Sequence, residues 1–253
     1  MKLISLNIWD ARVFEPLMKF FDNSQDVDIF CLQEVFNGKE EGYIRGDKRV
    51  NGFSEISKKL SGYQGFFAST EALDDIPSRG LAIPYGLAIF IKKEIKTLSH
   101  HHEVIFGEEE FSNENPKTHR RVIQTVCIFK DGQPLAISNV HGLWNGQGKT
   151  DTPERIRQSQ NIKKHINNFK HEVVLVGDFN LLPDTESLAI VADGMINLIK
   201  KCNITSTRTR LYTKHKEPVL FADYVFLSPN IKINSFEVLK DEVSDHAPLL
   251  LDF

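Results

Sequence analysis

Five places in this 253-residue sequence set a carboxylate, an amide or an imidazole where an apolar run stops and side chains leave a core. They are Asn7, Glu34, His141, Asp178 with Asn180, and Asp245 with His246. Asp178 and Asn180 follow Val173-Val174-Leu175-Val176-Gly177, and residues two apart share one face of an extended chain. Gly177, between strand and site, allows close backbone approach. Carboxylates gathered in one pocket repel one another and titrate upward unless a cation sits among them. Hard oxygen donors without a paired Cys or His cluster favour Mg²⁺ or Mn²⁺ over zinc. Asp223 is a different case, because it lies inside the apolar run Val219-Leu220-Phe221-Ala222-Asp223-Tyr224-Val225-Phe226-Leu227. A carboxylate there needs a partner to offset its desolvation, and a histidine suits it, since the Asp fixes the tautomer and stabilises the imidazolium.

The elements that must carry these groups follow from periodicity. Residues 2–9 alternate, with Ile4, Leu6 and Ile8 on one face and Asn7 on the other, as a half-buried strand does. Further strands are predicted at 27–32, 63–68, 85–91, 122–129, 135–141, 173–178, 220–227, 231–239 and 248–251. Helices are predicted at 14–21, 53–60, 153–169 and 185–192, the third with Asp151 or Thr152 as N-cap and Pro153 in its first turn. Many strands with few helices imply an α/β (α+β) fold: two packed, mostly antiparallel sheets flanked by helices, a four-layer sandwich in one domain, 1–253. The polar stretches 37–52, 69–84, 107–117, 142–151 and 206–218 read as long loops, which in compact domains are usually functional or mobile. His100-His101-His102 reads as an exposed polar run near a strand end.

Composition limits the partners. The formal net charge is −3, whereas a dedicated nucleic-acid-binding domain usually carries a basic surplus, so tight duplex binding is disfavoured. Three cysteines form no CxxC pair, which suits a reduced compartment. No secretory h-region and no apolar run of spanning length is present, and the expectation is a cytoplasmic, monomeric protein without a membrane span.

Six segments in order, Leu6-Asn7-Ile8, Leu32-Gln33-Glu34-Val35, Asn139-Val140-His141-Gly142, Gly177-Asp178-Phe179-Asn180, Asp223-Tyr224-Val225-Phe226 and Ser244-Asp245-His246-Ala247-Pro248-Leu249, resemble the motifs of the endonuclease/exonuclease/phosphatase superfamily. Any one alone is weak evidence; six in order at predicted strand ends, over almost the whole chain, are specific. The resemblance implies a metal-dependent phosphoesterase. Glu34 would be the main metal ligand, with Asn7 beside it on metal or phosphate and Asp245 completing the metal-side carboxylates. Asp178 would orient or deprotonate the attacking water, Asn180 would hydrogen-bond the phosphoryl oxygens, and His141 would donate to the scissile phosphate. His246, steered by Asp223, would be the general base or a phosphate-stabilising imidazolium. The reaction implied is in-line attack of water on a phosphoester, the ion being Mg²⁺ or Mn²⁺.

Two departures from the family pattern bear on substrate. Apurinic endonucleases of the superfamily carry an acidic residue two positions after the first-strand Asn, where this chain has Trp9; Asp10 is one residue out of register and faces the other way on an extended chain. Inositol phosphatases typically follow the histidine-orienting Asp with Arg, where this chain has Tyr224. Trp144, three residues after His141, either stacks on a base or lipid-like group or closes the core edge. Arg120-Arg121 opens a strand and either reaches a phosphate or guards a solvated edge. In 206–217, Arg208, Arg210, Lys214 and Lys216 against Glu217 give a net charge of +3; alternation with Thr puts both arginines on one side of an extended segment, as a phosphate clamp requires. The leading expectation is a nuclease-like phosphodiesterase acting on nucleic acid or nucleotide. A phospholipid, sphingolipid or small phosphorylated-metabolite hydrolase is the alternative, and a catalytically dead binding module the third, disfavoured because every catalytic position holds a competent residue.

Overall fold

The computed structural model describes residues 1–39, 43–44, 47–73, 83–107, 120–213 and 220–253, with backbone alone at 43–44 and 71–73. The chain runs β1 (Lys2–Asn7), α1 (Phe14–Asn23), β2 (Ile29–Phe36), β3 (Tyr43–Ile44), β4 (Lys48–Arg49), α2 (Gly52–Lys59), β5 (Tyr63–Leu73), β6 (Ile83–Lys92), β7 (Thr97–Phe106), β8 (Arg121–Lys130) and β9 (Gln133–His141). It continues through α3 (Pro153–Asn167), β10 (Glu172–Asp178), α4 (Glu186–Ala192), β11 (Ile196–Asn197), α5 (Leu198–Lys201), β12 (Asp223–Leu227), β13 (Ser235–Val238) and β14 (Leu249–Asp252). Two six-stranded sheets result, ordered β13-β14-β1-β2-β6-β5 and β11-β12-β10-β9-β8-β7.

Each sheet has one parallel pair at its centre, β1 with β2 and β9 with β10, and all other neighbours are antiparallel. A parallel pair sets two strand C-termini side by side, whereas an antiparallel pair separates them. Asn7 therefore lies in register with Gln33, and Asp178 with His141.

Leu3, Cys31 and Ile89 of the first sheet pack on Ile137, Val174 and Val176 of the second. The alternate residues Ile4, Leu6 and Ile8 pack with Leu17, Phe21 and Ile56 of α1 and α2. Both faces of β1 are thus covered, and the half-buried strand expected from alternation is buried on both sides. Its polar alternates point between the sheets. There Gln33 Nε2 donates to Asn139 Oδ1 at 2.7 Å, and Asn139 Nδ2 to the Leu32 carbonyl at 3.0 Å. These fully buried amides tie the two central pairs together directly beneath the strand ends.

The predicted helices form with shifted ends. Thr152 caps α3, Thr185 caps α4, and α3 stops two residues short of the expected 169. Leu220 to Ala222 lie outside β12, so Asp223 opens that strand instead of sitting within it. β7 was not expected: it is an edge strand exposed over most of its length, and its polar sequence carries no apolar alternation to reveal it. His100, His101 and His102 pair with Val126, Thr125 and Gln124 in mid-strand, not near a strand end. Arg121 opens β8, an interior strand, so it guards no sheet edge. The stretch expected as a loop at 37–52 carries β3, β4 and the start of α2, and that at 69–84 carries the end of β5 and the start of β6. Parts of both, of 107–117 and of 206–218 lie outside the described residues, and Lys214, Lys216 and Glu217 are among the residues outside. No helix of the described residues is long and apolar enough to cross a membrane.

Candidate active site

Six segments deliver side chains to one end of the sandwich. β1, β2, β9 and β10 arrive by their C-terminal ends, β12 begins there because Asp223 pairs antiparallel with Asp178, and Asp245-His246 lead into β14. Gly177 makes the approach of β10 to β9 possible: a Cβ there would lie 2.0 Å from the Val140 carbonyl oxygen, and its φ is +139°. Glu34 and Asn180 adopt left-handed backbone, φ 60° and 53°, although neither is glycine. Glu34 sits where the β2–β6 register shifts, a bulge that turns its carboxylate inward. Such backbone costs about 1–3 kcal/mol per residue and persists where the surroundings enforce it, commonly at functional sites.

His246 Nδ1 lies 2.9 Å from both carboxylate oxygens of Asp223. The carboxylate accepts, so Nδ1 carries the hydrogen and Nε2 faces the pocket, 3.6 Å from Asp178 Oδ2 and 3.8 Å from Asp245 Oδ1. Thr207 fixes the carboxylate from behind. Its Oγ1 donates to Asp223 Oδ2 at 3.0 Å and accepts from the backbone N–H groups of Ala222 and Asp223. In the sequence Thr207 reads as one polar residue in a basic loop.

Asn7 bridges the two sheets. Its Nδ2 donates to Glu34 Oε1 at 3.1 Å and to Asp178 Oδ2 at 3.0 Å, while its Oδ1 accepts from Trp9 N–H at 2.9 Å. His141 Nε2 lies 3.7 Å from Glu34 Oε1 and 3.8 Å from Asp178 Oδ2. Burial pushes the Asp178 carboxyl up, but the charges of His246, His141, Lys149 and Arg208 outweigh it and hold the group well below its ordinary range. Asp178 also accepts from Asn180 N–H at 2.8 Å. Asn180 Nδ2 donates to the Gly142 carbonyl at 3.3 Å.

The arginines expected to act as a pair separate. Arg208 is buried at the site, with Nη1 3.2 Å from Asp245 Oδ2 and its guanidinium 4.1 Å above the Tyr212 ring centroid. Arg210 is 90 % exposed and pairs with Glu242 at 2.5 Å; it lines a neighbouring pocket together with Arg208, but not the one that contains Asp245 and His246. Chain turns after Arg208 and the antiparallel bridge of Arg208 to His246 replace the extended segment on which both would share a side. Trp144 stands at the pocket wall and is 39 % exposed, so it does not close the core edge.

Asp10 also departs from expectation. After Ile8 the chain leaves the strand for a tight turn in which Trp9, Asp10 and Ala11 all have positive φ, and strand alternation no longer applies. Asp10 turns inward, buried against Lys48 at 3.1 Å and Arg12 at 3.6 Å. Burial, reinforced by the charge of Glu34, pushes its carboxyl up to about 6.

The pocket enclosed by these groups holds about 200 Å³ and is walled by Trp9, Tyr85, Trp144 and Tyr212 besides the polar residues. Lys149 and Arg121 line it too, both buried, and neither stood out as a site residue of the motif set. Ligand atoms of Glu34, His141 and Asp178 fall within 4.8 Å of one another, as do those of Asp178, Asp223 and His246. Asp245 belongs to neither group; its Oδ2 meets Arg208, and its buried Oδ1 has no hydrogen-bond partner. Two carboxylates and an imidazole within reach of one another, with an orphaned carboxylate oxygen of Asp245 lining the same pocket, fit a divalent cation.

A model of the endonuclease/exonuclease/phosphatase family matches residues 5–246. The chain belongs to this family. As a family member it is a metal-dependent phosphoesterase. Solved structures agree on the fold. A family protein from Bacteroides thetaiotaomicron superposes with a TM-score of 0.74 at 17 % identity, over 99 % of this chain and 93 % of its own. A mannosyl-6-phosphatase of the same organism gives 0.72 at 16 %, over 100 % and 98 %. The human Nocturnin catalytic domain with bound sulfate gives 0.66 at 20 %, over 100 % and 92 %. No curated protein gives a significant match.

Proposed function

We propose that this phosphoesterase uses Mg²⁺ or Mn²⁺ and hydrolyses its substrate by in-line attack of an activated water, nucleic acids and nucleotides being the first substrates to test. The observation that carries this reading is the meeting of two charge systems on Asp178. On one side stand Glu34, Asn7 and His141; on the other, His246 backed by Asp223. Glu34, Asn7 and Asp245 would hold the ion. When bound, a divalent ion supplies charge neutralisation at the phosphoryl oxygens.

The chain's own groups carry the rest. Asp178, held ionised by its cationic neighbours, accepts a hydrogen bond from the attacking water and orients it. His246 presents Nε2 to the same space; with Nδ1–H fixed on Asp223 it takes up a proton there, or holds one against a phosphoryl oxygen. His141 and Asn180 supply donors to the non-bridging oxygens, and Arg208 adds positive charge beside them. Trp144 offers a ring face at the mouth on which a base or another flat group can stack. Arg210 has no part in this arrangement.

The test is a panel of plasmid DNA, single-stranded RNA, sphingomyelin, p-nitrophenyl phosphate and bis-p-nitrophenyl phosphate, each with Mg²⁺ and with EDTA. Mg²⁺-dependent release from one or more phosphoesters is expected. Silence across the panel, or turnover indifferent to EDTA, contradicts the reading.

A further inference from the structure

We propose that Lys149 is a substrate-binding residue which, together with Arg208, fits this pocket to a phosphate dianion at the end of a substrate, a phosphomonoester, in preference to the monoanion of an internal diester. The inference rests on the phosphoester reading above and narrows it. Lys149 is 4 % exposed and lines the pocket beside Asp178, Asn180 and His246. Of its three ammonium donors, one reaches the Phe221 carbonyl at 2.9 Å, and among the described residues no carboxylate stands within ion-pair distance. Burying an ammonium on a single carbonyl is costly. A fold that needed only to fill this volume would place an apolar side chain here. Two unused donors at the wall of a phosphoester pocket are accounted for by an anionic ligand.

Charge and donor number select the kind of anion. Beside the Arg208–Asp245 pair, Lys149 adds a cation at the pocket wall that, among the described residues, no carboxylate within ion-pair distance offsets. A phosphomonoester carries about −1.5 to −2 at pH 7 and three terminal oxygens, whereas an internal diester carries one charge and two. The Arg208 Nε, buried without a hydrogen-bond partner, adds a further donor beyond what two oxygens employ. Size agrees: about 200 Å³ is below the roughly 300–1,000 Å³ usual for a pocket that engulfs a whole drug-sized ligand. Trp9, Tyr85, Trp144 and Tyr212 stand among the residues that line this volume.

Equilibrium binding of methyl phosphate and dimethyl phosphate to the Mg²⁺-loaded protein at pH 7, by calorimetry, tests the proposal without requiring turnover. The wild-type protein is expected to bind the monoester at least about tenfold tighter. Lys149→Met, its folding checked by thermal melting, is expected to cut that preference to threefold or less. The ratio of kcat/KM for p-nitrophenyl phosphate to that for bis-p-nitrophenyl phosphate should fall in parallel. Equal or tighter binding of dimethyl phosphate by the wild type overturns the proposal without reference to any variant, and so does a Lys149→Met protein that weakens both ligands equally. If every substrate of the panel above stays intact, the phosphoesterase reading fails separately, and the binding ratio still decides this one.

Discussion

The Asp223 carboxylate accepts from His246 Nδ1 through both of its oxygens at 2.9 Å, and Thr207 holds one of those oxygens from behind at 3.0 Å. Three buried residues from three segments thus set one imidazole tautomer. Asp223→Asn presents an N–H where an acceptor is needed and should lower kcat by about 10² to 10⁴. The Asp223→Asn/His246→Ala double variant should be little worse than His246→Ala alone, because the pair acts as a unit. Additive losses would show that the two work separately. Thr207→Val, which keeps shape and deletes the hydroxyl, should shift the pH–rate profile while KM stays within twofold.

Metal linkage should appear in stability as well as rate. Glu34 and Asn7 are assembled by the fold itself through the bulge in β2 and the hydrogen bond at 3.1 Å, so chelation should abolish turnover and leave the circular dichroism spectrum unchanged. Mg²⁺ at about 100 times its Kd should stabilise the wild type by about 2.7 kcal/mol, seen as a higher Tm, and Glu34→Gln by much less. A Glu34→Gln protein that retains both the Tm response and full activity would remove Glu34 from the ion site.

Lys149 makes a prediction about pH. Burial lowers its amine from the ordinary 10.5 to about 8, so between those values the unfolded chain binds the proton and the folded chain does not. Stability then rises with pH across that window, and below about 8 the full penalty applies. Lys149→Met should therefore melt higher than the wild type at pH 7, by at most about 3 kcal/mol, with the difference shrinking as the pH approaches 10. A variant that melts lower at pH 7 by more than a degree would mean that the ammonium is already satisfied within the protein.

Arg208 and Arg210 should behave differently despite their spacing. Arg208→Ala strands Asp245 as a buried, unpaired carboxylate, a loss of about 3–5 kcal/mol in metal-free protein that added Mg²⁺ partly restores. Arg210→Ala removes an exposed pair with Glu242 and should change stability by less than about 1 kcal/mol, leaving kcat/KM within twofold. Equal effects of the two substitutions on kcat/KM would return Arg210 to the site.

What the sequence made legible is the set of strand ends. Asn7, Glu34, His141, Asp178 and Asn180 each follow an apolar run, and the topology gathers them because its two parallel pairs end on the same side. The rest depends on backbone that leaves the strand. Asp10 enters the field of Glu34 through a left-handed turn that alternation cannot express, and Arg210 leaves the pocket because the chain turns after Arg208. Lys149 and Thr207 lie in loops, and only long-range contacts distinguish them from surface residues: one with the Phe221 carbonyl, the other with Asp223. β7 was hidden because an exposed edge strand needs no apolar period.

The central claim, cleavage of the P–O bond by water-derived oxygen in a metal-loaded site centred on Asp178, is tested most directly by hydrolysing p-nitrophenyl phosphate and its diester in ¹⁸O-labelled water with Mg²⁺. The account predicts one labelled oxygen in the phosphate-containing product of each substrate that is turned over, a rate lowered by at least about 10² in Asp178→Asn, and no release in EDTA. Label in the nitrophenol, or undiminished turnover in EDTA, would contradict it.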